Sequence, residues 1–187
     1  MIEMKRGKLL LAEPYMEDPH FKRSVVLLTE YSKEEGSVGF ILNKPIAMKI
    51  NELVNDFPDI DCPVFYGGPV AQETLHYIHD LGDVLDDSIS ISPNVWWGGD
   101  YEKLKFLISS QYLQPRNIRF FLGYSGWSPG QLEDEMLYGS WVMSDMDSNY
   151  LFATRHVDMW SKVMRNKGDR YSVIAEMPDS FILIKDE

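Results

Sequence analysis

The sequence predicts an α+β fold built on a mixed sheet. Three observations carry that reading. Short runs rich in Leu, Val and Ile recur along the chain, each bounded by Gly, Pro or Asn, as strands are. Helical spacing of apolar residues is confined to a few segments, which fall irregularly among the strands rather than in repeating βαβ units. A length of 187 residues matches one domain, and no Ser/Gly/Pro-rich linker, low-complexity tract or repeat divides it. Residues 1–187 are therefore read as a single domain.

Lys8–Ala12, Ser24–Tyr31 and Ser37–Leu42 are the first three expected strands. Glu13-Pro14 stops the first and Asn43-Lys44-Pro45 the third, because proline withholds a ladder donor. Glu34-Glu35-Gly36 connects the second to the third as a hairpin. Asn51 is expected to cap a short helix running to about Phe57. Strands follow at Val64–Tyr66, Thr74–Ile78, Ile89–Ile91, Ile118–Leu122 and Ser140–Ser144. Asp100 caps a helix from Tyr101 to about Gln111, whose Leu104, Leu107 and Ile108 share one face. Asp158 opens another, carrying Met159, Trp160, Val163 and Met164 and ended by Gly168; a further helical turn or two fits Tyr171–Met177.

Residues 123–133, Gly-Tyr-Ser-Gly-Trp-Ser-Pro-Gly-Gln-Leu-Glu, read as a tight turn into a helix. Ser128 suits the N-cap, Pro129 the first helical position, and Gln131 completes a capping box. Trp127 and Leu132 are placed for a hydrophobic staple, Glu133, Asp134 and Glu135 lie at the positive end of the helix dipole, and Gly139 ends the helix.

Composition narrows the function classes. Apolar residues make up 44% and charged residues 25%, which argues against disorder. Cys62 is the one cysteine, which excludes an internal disulfide framework and a multi-thiolate zinc site. Neither a signal-peptide pattern nor an 18-residue apolar run occurs, so no membrane segment is expected and a cytoplasmic protein is the default. The net charge of −11 is concentrated in residues 51–187, which carry −12 against +1 for residues 1–50. Nucleic-acid binding draws most of its affinity from Lys and Arg against phosphates, so direct DNA or RNA binding is disfavoured.

Several blocks of residues carry a resemblance. They are Gly7–Ala12 with Pro14; Asp18-Pro19, Phe21 and Arg23–Leu28; Gly39–Pro45; Tyr66–Val70; Gly98–Asp100; Arg119–Tyr124; and Gly126-Trp127, Pro129–Glu133 and Trp141. In this order, over residues 7–160, the chain resembles the AlgH/YqgE family of bacterial proteins. The resemblance implies a compact α+β domain with a mixed, partly barrel-like sheet and flanking helices. It also implies a link to transcriptional regulation of alginate production, for which the sequence offers no helix-turn-helix signature. Lys44 stands where the family usually has arginine, Ser125 where alanine is common, and Trp97 where an aliphatic residue is usual. The first substitution weakens bidentate anion recognition at that position. Residues 161–187 match the family pattern poorly.

The candidate binding set is Arg23, Ser24, Asn43, Arg119, Tyr124, Ser125, Trp127 and Gln131, polar groups set in apolar, strand-like segments where a guanidinium needs partners. A sheet could gather them around a pocket for an anion; the plainer alternative is a polar network that fixes loops. Gly67, Gly68, Gly98 and Gly99 are weaker candidates for anion-holding loops, with tight turns as their alternative. Ser125 follows Gly123 at the right spacing for a nucleophile elbow, but Trp127 occupies the second glycine position, so no catalytic set is assigned. His76 and His79 would face opposite sides of a strand, and no metal or cofactor is expected. The leading reading is a non-catalytic domain that binds a small anionic ligand or a protein and acts indirectly in regulation. The alternatives are a hydrolase or transferase for an anionic substrate and, third, a DNA-binding regulator.

Overall fold

The molecule is described by a computed structural model over residues 3–178. Its first strands, β1 (Lys8–Ala12), β2 (Val25–Ser32) and β3 (Gly36–Ile41), form an antiparallel meander. In β1 every position is apolar after Lys8, because both faces of the strand are buried. Leu9 and Leu11 enter one core cluster, and Leu10 and Ala12 the cluster on the opposite face. Full burial of each such leucine contributes about 1.5–3 kcal/mol before the entropy of ordering it.

The sheet turns on β9 (Ile118–Trp127). Its first half lies between β5 (Pro63–Tyr66), which runs parallel to it, and β6 (Val70–His79), which runs antiparallel. Its last three residues pair instead with β3. Gly123 stands at the changeover with φ of 68°, and a Cβ there would lie 2.5 Å from the carbonyl oxygen of Gly68. Only glycine fits that bend without strain, and the sheet as a whole curls into a half-barrel. β4 (Pro45–Lys49) lies along β5; β8 (Val95–Trp97) and β7 (Ile89–Ser92) extend the sheet beyond β6, and β10 (Trp141–Asp145) flanks β1.

The helices α4 (Ser148–Phe152), α5 (Met159–Asn166) and α6 (Asp169–Ala175) close one core with Leu9, Leu27, Phe40 and Phe121. The helix α2 (Tyr101–Ser109) lays Leu104, Leu107 and Ile108 against the other side, where Phe120 and Tyr77 project. Asp100 caps it as expected, accepting the Lys103 N–H at 2.7 Å.

The expected α+β class with its mixed sheet is present, and eight strands fall where the apolar runs place them, with four corrections. The segments β4 and β8 carry no alternating pattern long enough to mark them, and Pro45 opens β4 as its first residue, a position strands tolerate. The strand β9 continues to Trp127 through the segment read as a turn. Asn51 lies inside the one-turn helix α1 (Ile50–Leu53) and donates its side-chain amide to the Phe57 and Pro58 carbonyls instead of capping a longer helix. The helix α3 (Gln131–Leu137) starts later than expected, because Gly130 adopts φ of 76°. Half of the capping box survives, with the Ser128 N–H donating to Gln131 Oε1 at 3.0 Å. At its other end Gly139 closes a Schellman motif, the Ser140 N–H reaching the Glu135 carbonyl at 3.0 Å.

Candidate functional site

On β9, Ile118 and Phe120 point into the α2-covered core, so Arg119 and Phe121 point to the opposite face. A guanidinium is thereby carried to the face on which α4 lies. Arg119 donates from Nη1 to the Leu42 carbonyl at 3.0 Å and lies 4.4 Å over the Phe65 ring. Burial lowers its pKa to about 10, which leaves it a cation at neutral pH.

Arg119 opens onto a cavity of about 450 Å³. Phe65, Leu151 and Phe152 give it an apolar floor, and Arg116, Arg155 and His156 surround it. Arg155 is paired with Asp158 at 2.6 Å. Among the described residues, neither Arg116 nor Arg119 has a carboxylate partner. His156 meets Phe65 edge-on at 5.7 Å, and burial, followed by the charges of Arg119 and Arg155, lowers its pKa. Cys62 also reaches the cavity wall, but burial pushes its thiol up to about 12, so it is uncharged and unreactive at neutral pH.

A second cavity of about 400 Å³ adjoins the first through His156 and Val157. Lys22, Arg23, Asn43, Lys44 and Trp160 complete its polar and aromatic wall. The Arg23 guanidinium lies 4.1 Å over Trp160 and donates to the Met177 carbonyl at 2.6 Å. Asn43 holds this region in place, accepting from the Val25 N–H and donating to the Arg23 carbonyl, both at 2.9 Å. Among the described residues, no acidic side chain lines either cavity, in a chain of net charge −11.

The candidate set therefore divides. Arg23, Asn43 and Arg119 face adjoining cavities. Ser24 is fully buried, and so is Ser125, whose hydroxyl donates to the Gly67 carbonyl at 3.0 Å. Tyr124 meets His76 edge-on at 6.0 Å. Trp127 and Gln131 both donate to Glu135, away from the arginines. In the glycine pairs, the Gly67 N–H donates to the Leu122 carbonyl at 2.8 Å and the Gly98 N–H to the Tyr77 carbonyl at 3.0 Å. Gly68 lies against the Tyr124 backbone, and the Gly99 carbonyl accepts the Tyr77 hydroxyl at 2.6 Å.

Arg116, Arg155 and the cavity-facing role of His156 escaped the sequence reading. Arg116 lies on a 3-10 turn before β9, and the other two lie between α4 and α5, where no period or motif marks them. The one available signal was the spacing of Arg116 and Arg119 on either side of a strand start.

The AlgH-like family model matches residues 9–172. The chain is 46% identical to a UPF0301 protein of Chlorobaculum tepidum and 44% identical to one of Chlorobaculum parvum, each over 176 residues and 94% of both chains. Its fold is similar to that of a Corynebacterium diphtheriae protein solved by crystallography, with a TM-score of 0.78, 25% identity and 94% of each chain covered. It is also similar in fold to the solution structure of AlgH from Pseudomonas aeruginosa, with a TM-score of 0.73, 23% identity, and 95% of this chain and 98% of that one covered. Among the described residues no helix is long and apolar enough to cross a membrane. With the family model spanning most of its length and curated relatives above 40% identity, the chain belongs to the AlgH-like, UPF0301 family.

Proposed function

We propose that the protein is a non-catalytic binding domain for a small anion with an apolar body, such as an aryl phosphate or an aromatic carboxylate, and that its regulatory role is exerted indirectly through the ligand-bound form. The observation that carries this reading is the Arg119 cavity. A half-buried guanidinium with no carboxylate among the described residues opens, beside Arg116 and His156, onto a floor of Phe65, Leu151 and Phe152. A buried cation calls for an anionic partner, and arginine's planar fork matches phosphate and carboxylate. The apolar floor favours a ligand whose body is an aromatic or aliphatic group over a bare oxyanion.

Binding is favoured over turnover by the chemistry of the same wall. Cys62 is held as a neutral thiol, and Thr154 gives its hydroxyl hydrogen to the Asn149 carbonyl at 2.9 Å. The test is a thermal-shift titration with phenyl phosphate, benzoate and inorganic phosphate against sodium chloride at matched ionic strength. A ligand at 100 times its dissociation constant adds about 2.7 kcal/mol, a rise of about 5–11 °C for a domain of this size. The reading expects that rise with phenyl phosphate or benzoate and its loss in Arg119→Gln. Equal response of the two proteins, or no response to any anion, refutes it.

A further inference from the structure

We infer that the molecule carries a second and separate ligand site, an aromatic cage for an organic ammonium cation, built on Phe21, Trp127, Trp141 and Glu135. A cavity of about 320 Å³ lies among the loop before β2, the end of β9, α3 and the start of β10, and Met16 and Asp18 also line it. It shares no lining residue with the two basic cavities.

The three rings touch one another around this space. Phe21 meets Trp141 edge-on with centroids 5.6 Å apart, and Trp127 lies 6.1 Å from Trp141 and 6.4 Å from Phe21. Their orientation is fixed by one carboxylate. Trp127 and Trp141 both donate their indole N–H to Oε2 of Glu135, at 2.9 and 2.8 Å, and Gln131 donates to Oε1 at 2.9 Å.

A carboxylate has about four acceptor positions, so these three donors leave one open on Oε1. All three donors are neutral. Among the described residues, no Lys or Arg pairs with Glu135, so its negative charge is solvated by indole and amide dipoles but not cancelled. Aromatic faces carry negative charge density, indole most effectively, and Asp18 at the rim adds charge of the same sign. Such a wall suits a cation that is large, weakly hydrated and clothed in alkyl groups. A hard metal ion would demand several converging oxygen ligands, and Glu135 has one acceptor position left, with Asp18 at the rim. The alkylated ammonium group can belong to a small molecule or to a methylated lysine side chain of a partner.

Tryptophan fluorescence during titration with tetramethylammonium chloride tests the cage, with sodium chloride at equal ionic strength as reference. The wild type is expected to show a saturable change, at least tenfold weaker in Glu135→Gln, which keeps an oxygen for the indoles but removes the charge. Circular dichroism checks that this variant is folded. If it is not, Asp18→Asn, an exposed change, is expected to weaken binding two- to threefold. Arg119→Gln leaves this titration unchanged, which separates the cage from the anion cavity. A change linear in salt, equal for the two chlorides, or unaltered in a folded Glu135→Gln, overturns the proposal. Parallel titrations with choline and with the amide of Nα-acetyl-Nε-trimethyl-lysine identify the source of the ammonium by which binds more tightly.

Discussion

Arg119 on β9 hydrogen-bonds the carbonyl of Leu42, immediately beyond β3, at 3.0 Å, so the cation at the centre of the basic cavity is also a tie between two segments distant in sequence. One nitrogen of the fork is committed to structure, and the guanidinium lies over Phe65 on the cavity wall. Fixing the guanidinium in this way lowers the entropy lost when an anion arrives.

The two roles of Arg119 separate on substitution. Arg119→Gln should weaken phenyl phosphate binding by about 10–100-fold, the worth of one or two charge-assisted hydrogen bonds, and lower stability by about 1–3 kcal/mol through the orphaned Leu42 carbonyl. Arg119→Lys keeps the charge but not the fork, and should retain more of the stability than of the affinity. Calorimetric titration and urea denaturation of the same samples check both parts.

Binding of the anion should strengthen as pH falls. The pKa of His156 lies below the ordinary 6.5, from burial first and then from repulsion by Arg119 and Arg155. A bound anion offsets that repulsion and favours the protonated ring, so binding takes up a proton and affinity rises as pH drops toward the lowered pKa of the free protein, levelling off below it. Titrations with benzoate, which stays ionised throughout, at pH 7.5, 6.5 and 5.5 should show this rise in the wild type, with a flatter profile in His156→Asn.

Stability should move the opposite way with pH, through His79. This ring is fully buried, with Nε2 2.8 Å from the Gly98 carbonyl and Nδ1 accepting the Leu81 N–H at 3.1 Å. That network defines the neutral ring with its hydrogen on Nε2, because a second hydrogen on Nδ1 would meet the Leu81 donor. Burial lowers its pKa from 6.5, so the unfolded chain binds the proton more readily than the folded one. The stabilisation is complete above pH 6.5 and falls as pH drops toward the lowered folded value. His76, also lowered by burial, adds to the same slope. Urea midpoints should decrease between pH 7 and pH 5, and His79→Gln should flatten the decrease.

What the sequence disclosed follows from how local each feature is. Lys8–Ala12 declares itself because a strand buried on both faces must be apolar throughout, and Asp100 because a cap acts within three residues. Arg119 stood out as a charge inside a strand of Phe and Ile. Its neighbours in the cavity did not, because Phe65, His156 and Arg119 are brought together by the parallel β5–β9 pairing and the docking of the segment before α5. The split between the arginines and the Trp127–Gln131 pair was equally invisible. It depends on β9 continuing, with its bend at Gly123, through the segment that reads as a turn, carrying Trp127 to Glu135 and Trp141.

That continuity rests on Gly123, and its substitution gives the sharpest structural test. An alanine there would have to hold φ near 68°, which L residues adopt at a cost, with its Cβ 2.5 Å from the Gly68 oxygen and 2.9 Å from that of Val70. Both contacts are backbone, so no side-chain rotation relieves them. Either the alanine forces β9 away from the Gly68–Val70 segment, or the strain is retained; each costs stability, about 2–4 kcal/mol in total. For a domain of this size the melting temperature should fall by roughly 4–16 °C. Gly126, three residues along the same strand, provides the control. A Cβ at that position comes no nearer than 3.5 Å to the Tyr124 ring, and its φ is outside the left-handed region. Gly126→Ala should therefore change stability by less than about 1 kcal/mol. Equal melting temperatures for the two variants would mean that β9 does not bend where the structure places the bend.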